Sequence, residues 1–275
     1  MPAGRSPTAW GSTPTGTASP VTGTRRRSAP RGRPRPIRRR RTIPPSEVIW
    51  HPSPNAGARR DGLTPELVVI HYTAMTGAQA ALERLCAPEA EVSAHYLIGR
   101  DGTLWQLVEE DRRAWHAGTG TWAGRGDVNS RSIGIELDNS GLAPFTAPLM
   151  DRLTGLISDI RARWSIPPAG VIGHSDFAPT RKADPGRRFD WRRLALEGQS
   201  VWPAGTDAAG TVTEAAFMEA AAAFGYPADE GCQVVLDAFR QRFRPGAHGP
   251  LEGEDLAQIT DLARRFPVDR TTPAP

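Results

Sequence analysis

A long amphipathic segment among short apolar runs is the feature that most constrains the fold of this chain. Apolar residues recur at spacings of three and four, which predicts one long helix; they are Phe145, Leu149, Leu153, Leu156, Ile157, Ile160 and Trp164. Short apolar runs predict strands at 67–70, 94–98, 104–108, 132–137 and 171–173; the first is rich in β-branched residues, and Asp101-Gly102 between the second and third predicts a hairpin. Strands and helices mixed in this order predict an α/β fold, with a sheet covered by helices.

Composition divides the 275 residues into three parts. Residues 1–45 contain 11 arginines and no acidic residue among Pro, Gly, Ser and Thr, so we expect a disordered Arg/Pro-rich tail. Residues 46–203 carry the strand and helix pattern, and we expect them to form one domain that ends at a Gly-containing linker. Residues 204–275 contain three short segments with helical periodicity, which predict a small three-helix domain.

The positive charge of the chain lies in its tail. The whole chain has a net charge of +4 and the tail carries +11, so the remaining residues carry −7. A basic arm of this kind can bind nucleic acid or an anionic surface. We favour a plain disordered extension and expect no stable nucleic-acid partner.

The compartment is left open by the sequence. No apolar stretch follows the paired arginines of the tail, which argues against an export signal and favours the cytoplasm, with the periplasm as the alternative. No run of about 18 apolar residues occurs, so we expect no membrane span. Cys86 and Cys232 are far apart and predict neither a disulfide framework nor a cysteine-based zinc site. We expect a monomer.

Two histidines and one aspartate form the first candidate site. His71 and His174 each follow a predicted strand, and Asp184 lies on a loop ten residues after His174. Strand ends and the loops after them are where α/β folds present side chains to ligands. Two imidazoles and a carboxylate suit a catalytic zinc with one position left for water. The alternatives are histidines packed in a core and an aspartate that caps a turn at Pro185-Gly186.

A glutamate and a lysine strengthen the interpretation of this site. Glu136 lies within an apolar strand, where a carboxylate is costly without a partner. It is either an edge-strand residue that faces water or a general base aimed at a water molecule on a metal. Lys182 is the only lysine among 34 basic residues. Its compact ammonium can stabilise a developing oxyanion, and arginine is not interchangeable with it there.

Five motifs in a fixed order resemble a known family. They are at residues 71–74, 114–118, 129–136, 173–176 and 181–186. In sequence and order they resemble the zinc-dependent N-acetylmuramoyl-L-alanine amidases, which are related to peptidoglycan-recognition proteins and to the T7 type of lysozyme. The resemblance covers about residues 48–203 and implies a mixed central sheet flanked by helices. The segment 239–245 resembles more loosely a C-terminal peptidoglycan-binding-like domain.

The resemblance implies roles for the candidate residues. His71, His174 and Asp184 would bind Zn²⁺. Glu136 would activate the attacking water, and Lys182 would stabilise the tetrahedral intermediate. The reaction would be hydrolysis of the amide between N-acetylmuramic acid, or its 1,6-anhydro form, and L-alanine of the stem peptide in peptidoglycan turnover.

The resemblance also implies a substrate groove and shows one departure. Four residues would line the groove, with core or loop packing as the alternative for each: His95, Trp115, His116 and Asn129. Asp138 stands where the family usually has an apolar residue before an asparagine. Period-two alternation puts Asp138 on the same face as Glu136, and its charge would raise the pKa of Glu136 if both side chains face the cleft.

The main alternative to an amidase is a protein that binds peptidoglycan or muropeptides without cleaving them. Loss of a zinc ligand would indicate such a protein, and this sequence retains all three ligands together with Glu136 and Lys182. The sequence leaves open whether the substrate is the intact wall or anhydro-muropeptides, and which stem peptides are accepted.

Overall fold

A mixed sheet of six strands lies at the centre of the computed structural model, which describes residues 47–204 and 211–268. The strands of the structure, in chain order, are β1 (Val48–Trp50), β2 (Ala56–Ala58), β3 (Leu67–Tyr72), β4 (Tyr96–Ile98), β5 (Leu104–Gln106), β6 (Arg112–Ala114), β7 (Ser132–Leu137) and β8 (Val171–Gly173). The central sheet has the order β1-β5-β4-β7-β3-β8, and β2 pairs with β6 in a separate ribbon. Within the central sheet β4 and β5 are antiparallel and the other pairs are parallel.

Helices cover both faces of this sheet. They are α1 (Ala78–Cys86), α2 (Val128–Arg131), α3 (Ala147–Trp164), α4 (His174–Phe177), α5 (Trp191–Leu196), α6 (Glu214–Phe224), α7 (Cys232–Phe243) and α8 (Gly253–Arg265). In the part of the chain that the structure describes, every helix is too short or too polar to cross a bilayer. The predicted fold class, a mixed central sheet flanked by helices, is confirmed.

The elements with a strong periodic pattern lie where the sequence predicts them. The long helix is α3, the strand at 132–137 is β7, and the strand at 171–173 is β8. The elements that the sequence did not predict are short: β1, β2, β6, α2, α4 and α5 have three to six residues each. A segment of three to six residues is too short to show a distinct period. Its regular conformation depends on pairing or packing with other parts of the chain. The predicted disordered tail, residues 1–45, lies outside the described residues.

Side chains of β3 alternate between two separate hydrophobic cores. Val68 and Ile70 face a cluster that contains Leu153 and Ile157 of α3. Leu67 and Val69 are on the other face, in a cluster with aromatic residues of the C-terminal helices. Each face of β3 is therefore buried under different helices, as expected for an α/β sheet with parallel central strands.

Three adjacent parallel strands bring the candidate site residues to one edge of the sheet. His71 of β3 is directly opposite Glu136 of β7 in the strand register. Ile70 is opposite Gly173 of β8, so His174 follows immediately at the same level. Because carboxyl ends of parallel strands meet at one edge, residues distant in sequence become neighbours there.

The C-terminal helices are joined to this edge by a buried ion pair. Arg242 of α7 donates to Asp176 Oδ2 at 2.7 Å, and Tyr226 donates its hydroxyl to Asp176 Oδ1 at 2.8 Å. Asp176 Oδ2 also accepts from the backbone N–H of Gly173 at 2.8 Å, across the start of α4. The helix that carries His174 is thus tied to α7. The described residues belong to one compact unit, and a domain boundary at residues 203–204 stays a prediction.

Removal of Arg242 is expected to destabilise the chain strongly. Its side chain and that of Asp176 are each about 1% exposed. Arg242→Ala would therefore leave an unpaired carboxylate in the core, at a cost of about 3–5 kcal/mol in the free energy of unfolding. Denaturant unfolding measures this cost. Arg264→Ala is the matched control, because Arg264 is 73% exposed and its pair with Asp261 should contribute at most about 1 kcal/mol. Equal losses in the two variants would contradict the assignment.

Candidate active site

Three acceptor atoms converge at the edge formed by β3 and β8. His71 Nδ1 is 2.8 Å from Asp184 Oδ2, and His174 Nδ1 is 3.2 Å from the same oxygen. The two Nδ1 atoms are 2.9 Å apart. All three residues are buried. They are the one group of three potential metal-ligating residues found within the described parts of the chain.

The donor set fits a tetrahedral zinc ion. Metal–ligand bonds of about 2.0–2.2 Å in a tetrahedron put neighbouring donor atoms roughly 3.3 Å apart. The three observed separations are slightly shorter, so small outward shifts would accommodate the ion. His174 Nε2 is 3.0 Å from the carbonyl oxygen of Ala117, to which it donates its hydrogen, and this leaves the lone pair of Nδ1 facing the other two ligands.

The pKa shifts of His174 and Asp184 favour the protonation states that can bind a cation. Burial lowers the pKa of His174 to about 4, so its imidazole is neutral at neutral pH. Burial acts to raise the pKa of Asp184, but its hydrogen bonds with His174 and His71 outweigh burial, and its pKa is well below the usual value. A neutral imidazole and an ionised carboxylate are the forms that bind a cation.

Glu136 lies beside this cluster with an unusual environment for a carboxylate. Its Oε2 atom is shielded from solvent and has no hydrogen-bond partner among the described residues, while the residue as a whole is partly exposed. Burial raises the pKa of Glu136 to about 7, although the neighbouring His71 and Lys182 act to lower it. A carboxylate of this pKa next to a metal site is suited to act as a general base near neutral pH.

The strand alternation predicts that Asp138 raises the pKa of Glu136, but the structure shows no such effect. Its Oδ1 is 3.2 Å from Nε of Arg100. It is not among the groups that shift the pKa of Glu136. Because β7 ends at Leu137, the alternation does not extend to Asp138, which turns instead toward the β4–β5 hairpin.

Lys182 lies on the exposed loop that leads to Asp184. Its side chain is exposed, and its charge acts on both Glu136 and His174. The backbone N–H of Lys182 donates to the carbonyl oxygen of Ala178 at 3.0 Å, which holds the loop back against the end of α4. The single lysine of the chain is thus close enough to the candidate base, Glu136, and to a candidate metal ligand, His174, for its charge to act on both.

The four residues expected to line the groove differ in position. His95 is fully buried, and its Nδ1 accepts from the backbone N–H of Gly134 at 3.0 Å. Asn129 is also buried, and its Oδ1 accepts from the backbone N–H groups of His116 and Ala117. Trp115 and His116 are partly exposed. For His95 and Asn129 these contacts match the packing alternative; substrate contact by any of the four stays a prediction.

Two groups near the site had no role in the sequence analysis. Asp176 was part of a recognised motif, and a carboxylate three residues after the N-cap of a helix is typical of a capping box; that spacing was the available signal. The carbonyl of Ala117, which accepts from His174, left no signal, because a backbone acceptor is independent of the side chain at its position.

Two histidines at the carboxyl ends of parallel strands, an aspartate from a following loop and a glutamate in register beside them define a candidate metal-hydrolase site. The sequence profile of the family described as N-acetylmuramoyl-L-alanine amidase matches residues 61–187. The amidase AmiD of Escherichia coli (strain K12) is 35% identical over 237 residues, which are 74% of this chain and 84% of that protein. The chain belongs to the N-acetylmuramoyl-L-alanine amidase family.

Two further comparisons agree with this membership. The 1,6-anhydro-N-acetylmuramyl-L-alanine amidase AmpD of Enterobacter cloacae is 35% identical over 160 residues, which are 52% of this chain and 86% of that protein. The solved structure of Escherichia coli AmiD, in complex with anhydro-N-acetylmuramic acid-L-Ala-D-gamma-Glu-L-Lys, superposes with a TM-score of 0.67 at 34% identity. That superposition covers 75% of this chain and 92% of the AmiD chain.

Proposed function

We propose that this chain is a zinc-dependent N-acetylmuramoyl-L-alanine amidase. It hydrolyses the amide between the lactyl group of N-acetylmuramic acid, or of its 1,6-anhydro form, and L-alanine of the stem peptide. The observation that carries the proposal is the convergence of three acceptor atoms from His71, His174 and Asp184 within 3.2 Å, with Glu136 opposite His71 in the strand register.

Zinc held by the two histidines and the aspartate would supply Lewis acidity to the scissile carbonyl and to a water molecule. Glu136 accepts a proton from the attacking water as the new C–O bond forms. It then delivers the proton to the amine of L-alanine as the C–N bond breaks, so that a carboxylic acid and a free amine result. The Lys182 ammonium faces the negative charge that develops on the carbonyl oxygen.

The C-terminal helices α6, α7 and α8 are proposed to help bind peptidoglycan, in line with the loose resemblance of 239–245 to a binding module. A truncation after residue 203 is a poor test of this role. It would remove Arg242 and Tyr226 from Asp176 and so disturb the helix that carries His174. Substitutions at exposed positions of these helices separate binding from folding.

Metal removal is expected to abolish hydrolysis, because the three converging acceptors need a cation to act on a substrate carbonyl. Mass spectrometry of products from purified sacculi and from soluble anhydro-muropeptides, with and without a chelator, measures release of stem peptide. Activity should fall to background with chelator and return when Zn²⁺ is added. Comparison of the two substrates also decides between wall and soluble fragments.

Two outcomes would contradict the proposed function. Full activity in a chain shown to be metal-free would exclude a metal-dependent amidase. Tight binding of muropeptide by the zinc-loaded chain without any cleavage would favour the alternative, a protein that binds peptidoglycan fragments without hydrolysing them.

A further inference from the structure

The ring of His116 lies between the metal-ligating His71 and the hydroxyl of Ser132. His116 Nδ1 is 3.0 Å from His71 Nε2, the ring nitrogen that faces away from Asp184. On its other side, His116 Nε2 is 3.2 Å from Ser132 Oγ. Ser132 Oγ is in turn 2.5 Å from the carbonyl oxygen of Val128. Four groups thus form one continuous line of hydrogen bonds that ends at the metal site.

The direction of every hydrogen bond in this line follows from its last member. A carbonyl oxygen only accepts, so the Ser132 hydroxyl donates its single hydrogen to Val128. Ser132 Oγ can then only accept from His116, which places the hydrogen of His116 on Nε2. His116 Nδ1 is left as an acceptor and receives the Nε2 hydrogen of His71. The lone pair of His71 Nδ1 is thereby directed toward Asp184 and His174.

We propose that Ser132 and His116 are positioning residues that hold His71 in the tautomer able to bind zinc through Nδ1. Neither residue needs to touch the metal or the substrate for this role. A metal-ligating histidine commonly donates its second ring hydrogen to an outer partner, and loss of such a partner typically weakens metal binding 10- to 100-fold. The proposal rests on the zinc site proposed above and assigns the partner of His71.

The backbone around His116 keeps its ring in this position. Asn129 Oδ1 accepts from the N–H groups of His116 and Ala117, at 2.9 and 2.8 Å. Across the sheet, a Cβ atom added to Gly134 would lie 2.5 Å from Cγ of His116. Only glycine at this strand position leaves room for the ring. Ser132 and Gly134 are on the same face of β7 as Glu136, so one strand supplies the hydroxyl, the space and the candidate base.

Zinc affinity of the full-length chain, measured by competition with a chelator, tests the proposal. Ser132→Ala removes the acceptor of the His116 hydrogen, and we expect zinc to bind about 10-fold more weakly. His116→Leu removes the acceptor of the His71 hydrogen, with an expected loss of about 10- to 100-fold. His116→Asn places an amide oxygen near the position of Nδ1, and we expect its affinity to remain within about threefold of the unsubstituted chain.

Thr154→Ala is the matched control for Ser132→Ala. The Thr154 hydroxyl donates to the carbonyl of Met150 at 2.9 Å, four residues earlier in α3, as Ser132 donates to Val128. It lies in a helix on the other face of the sheet, and its loss should leave zinc affinity unchanged. Thermal unfolding of each variant identifies a loss of affinity that comes only from misfolding.

Nitrogen-15 NMR of the zinc-loaded chain provides a second readout that does not depend on substitutions. We expect His116 to carry its hydrogen on Nε2 and His71 to carry its hydrogen on Nε2. A His116 ring protonated on Nδ1 would overturn the proposal, and so would unchanged zinc affinity in both Ser132→Ala and His116→Leu. A chain that binds no zinc at all would overturn the proposed function itself, which is a distinguishable result.

Discussion

Glu136→Gln is expected to lower kcat for amide hydrolysis by roughly 10²- to 10⁴-fold while the chain still binds zinc. Glutamine keeps the size of the side chain but cannot accept a proton from water. The three proposed zinc ligands are separate residues, so zinc content should persist. Glu136→Ala should lose as much activity. Stem-peptide release followed by mass spectrometry, together with the zinc content of each variant, measures the result.

The pH dependence of the reaction gives a second check on Glu136. Burial raises its pKa to about 7, and a cation held beside it would lower that pKa. A general base works only in its ionised form, so kcat/KM should fall as pH decreases below the pKa of Glu136. Asp138→Asn is the matched control, because Asp138 pairs with Arg100; it should leave this acidic limb in place. An unchanged rate in Glu136→Gln would show that another group takes the proton.

Glu136→Gln should also stabilise the metal-free chain at high pH. A pKa raised from 4.5 to about 7 means that the folded state holds this proton more tightly than the unfolded state. The free energy of unfolding therefore decreases as pH rises from about 4.5 to about 7. Glu136→Gln avoids that loss, and at pH 8 the gain is at most roughly 3 kcal/mol, since the side chain is partly exposed. Denaturant unfolding at pH 5 and pH 8 separates this contribution from others.

Lys182→Ala is expected to lower kcat by roughly 10²- to 10³-fold, the usual cost of losing one group that stabilises an oxyanion. Lys182→Arg should also be severely impaired, because the planar guanidinium has a different reach and geometry from a compact ammonium. Zinc affinity should change little in either variant, since Lys182 is not among the proposed ligands. Kinetics on soluble anhydro-muropeptides, with zinc content measured in parallel, test both substitutions.

Arg188→Ala is the control for Lys182. Arg188 is an exposed cation close to Lys182 in the chain, so its removal changes the net charge by the same amount without removing the proposed oxyanion partner. We expect near-normal kcat for Arg188→Ala. Near-normal activity of Lys182→Arg would show that positive charge alone is sufficient at position 182, and near-normal activity of Lys182→Ala would exclude the assigned role.

The strongest local patterns were predictable because they depend on neighbours in sequence. The apolar period of α3 and the β-branched run of β3 each bury a whole face, so their place in the fold follows from the residues themselves. The proposed ligands His71 and His174 were visible for the same reason, since each follows a recognisable strand. The short strands β1, β2 and β6 were not, because three residues show no distinct period.

The surroundings of the site could not be predicted in the same way. The pairing of Arg242 with Asp176 joins residues 66 positions apart, and no local pattern connects them. His116 was expected to face the substrate groove, and its hydrogen bonds to His71 and Ser132 depend on how three segments meet over Gly134. Side-chain partners of this kind arise only when distant segments share a surface.

The sequence by itself determined the class of fold, the amidase motifs and the residues able to bind a metal, because residue chemistry and short-range periodicity are local properties. Tertiary structure alone decided that Glu136 is opposite His71, that Asp138 turns away to Arg100, and that α7 is tied to the helix carrying His174. Each of these depends on strand register and on the burial of polar groups. Buried polar groups need hydrogen-bond or ion-pair partners, and residues distant in sequence supply them.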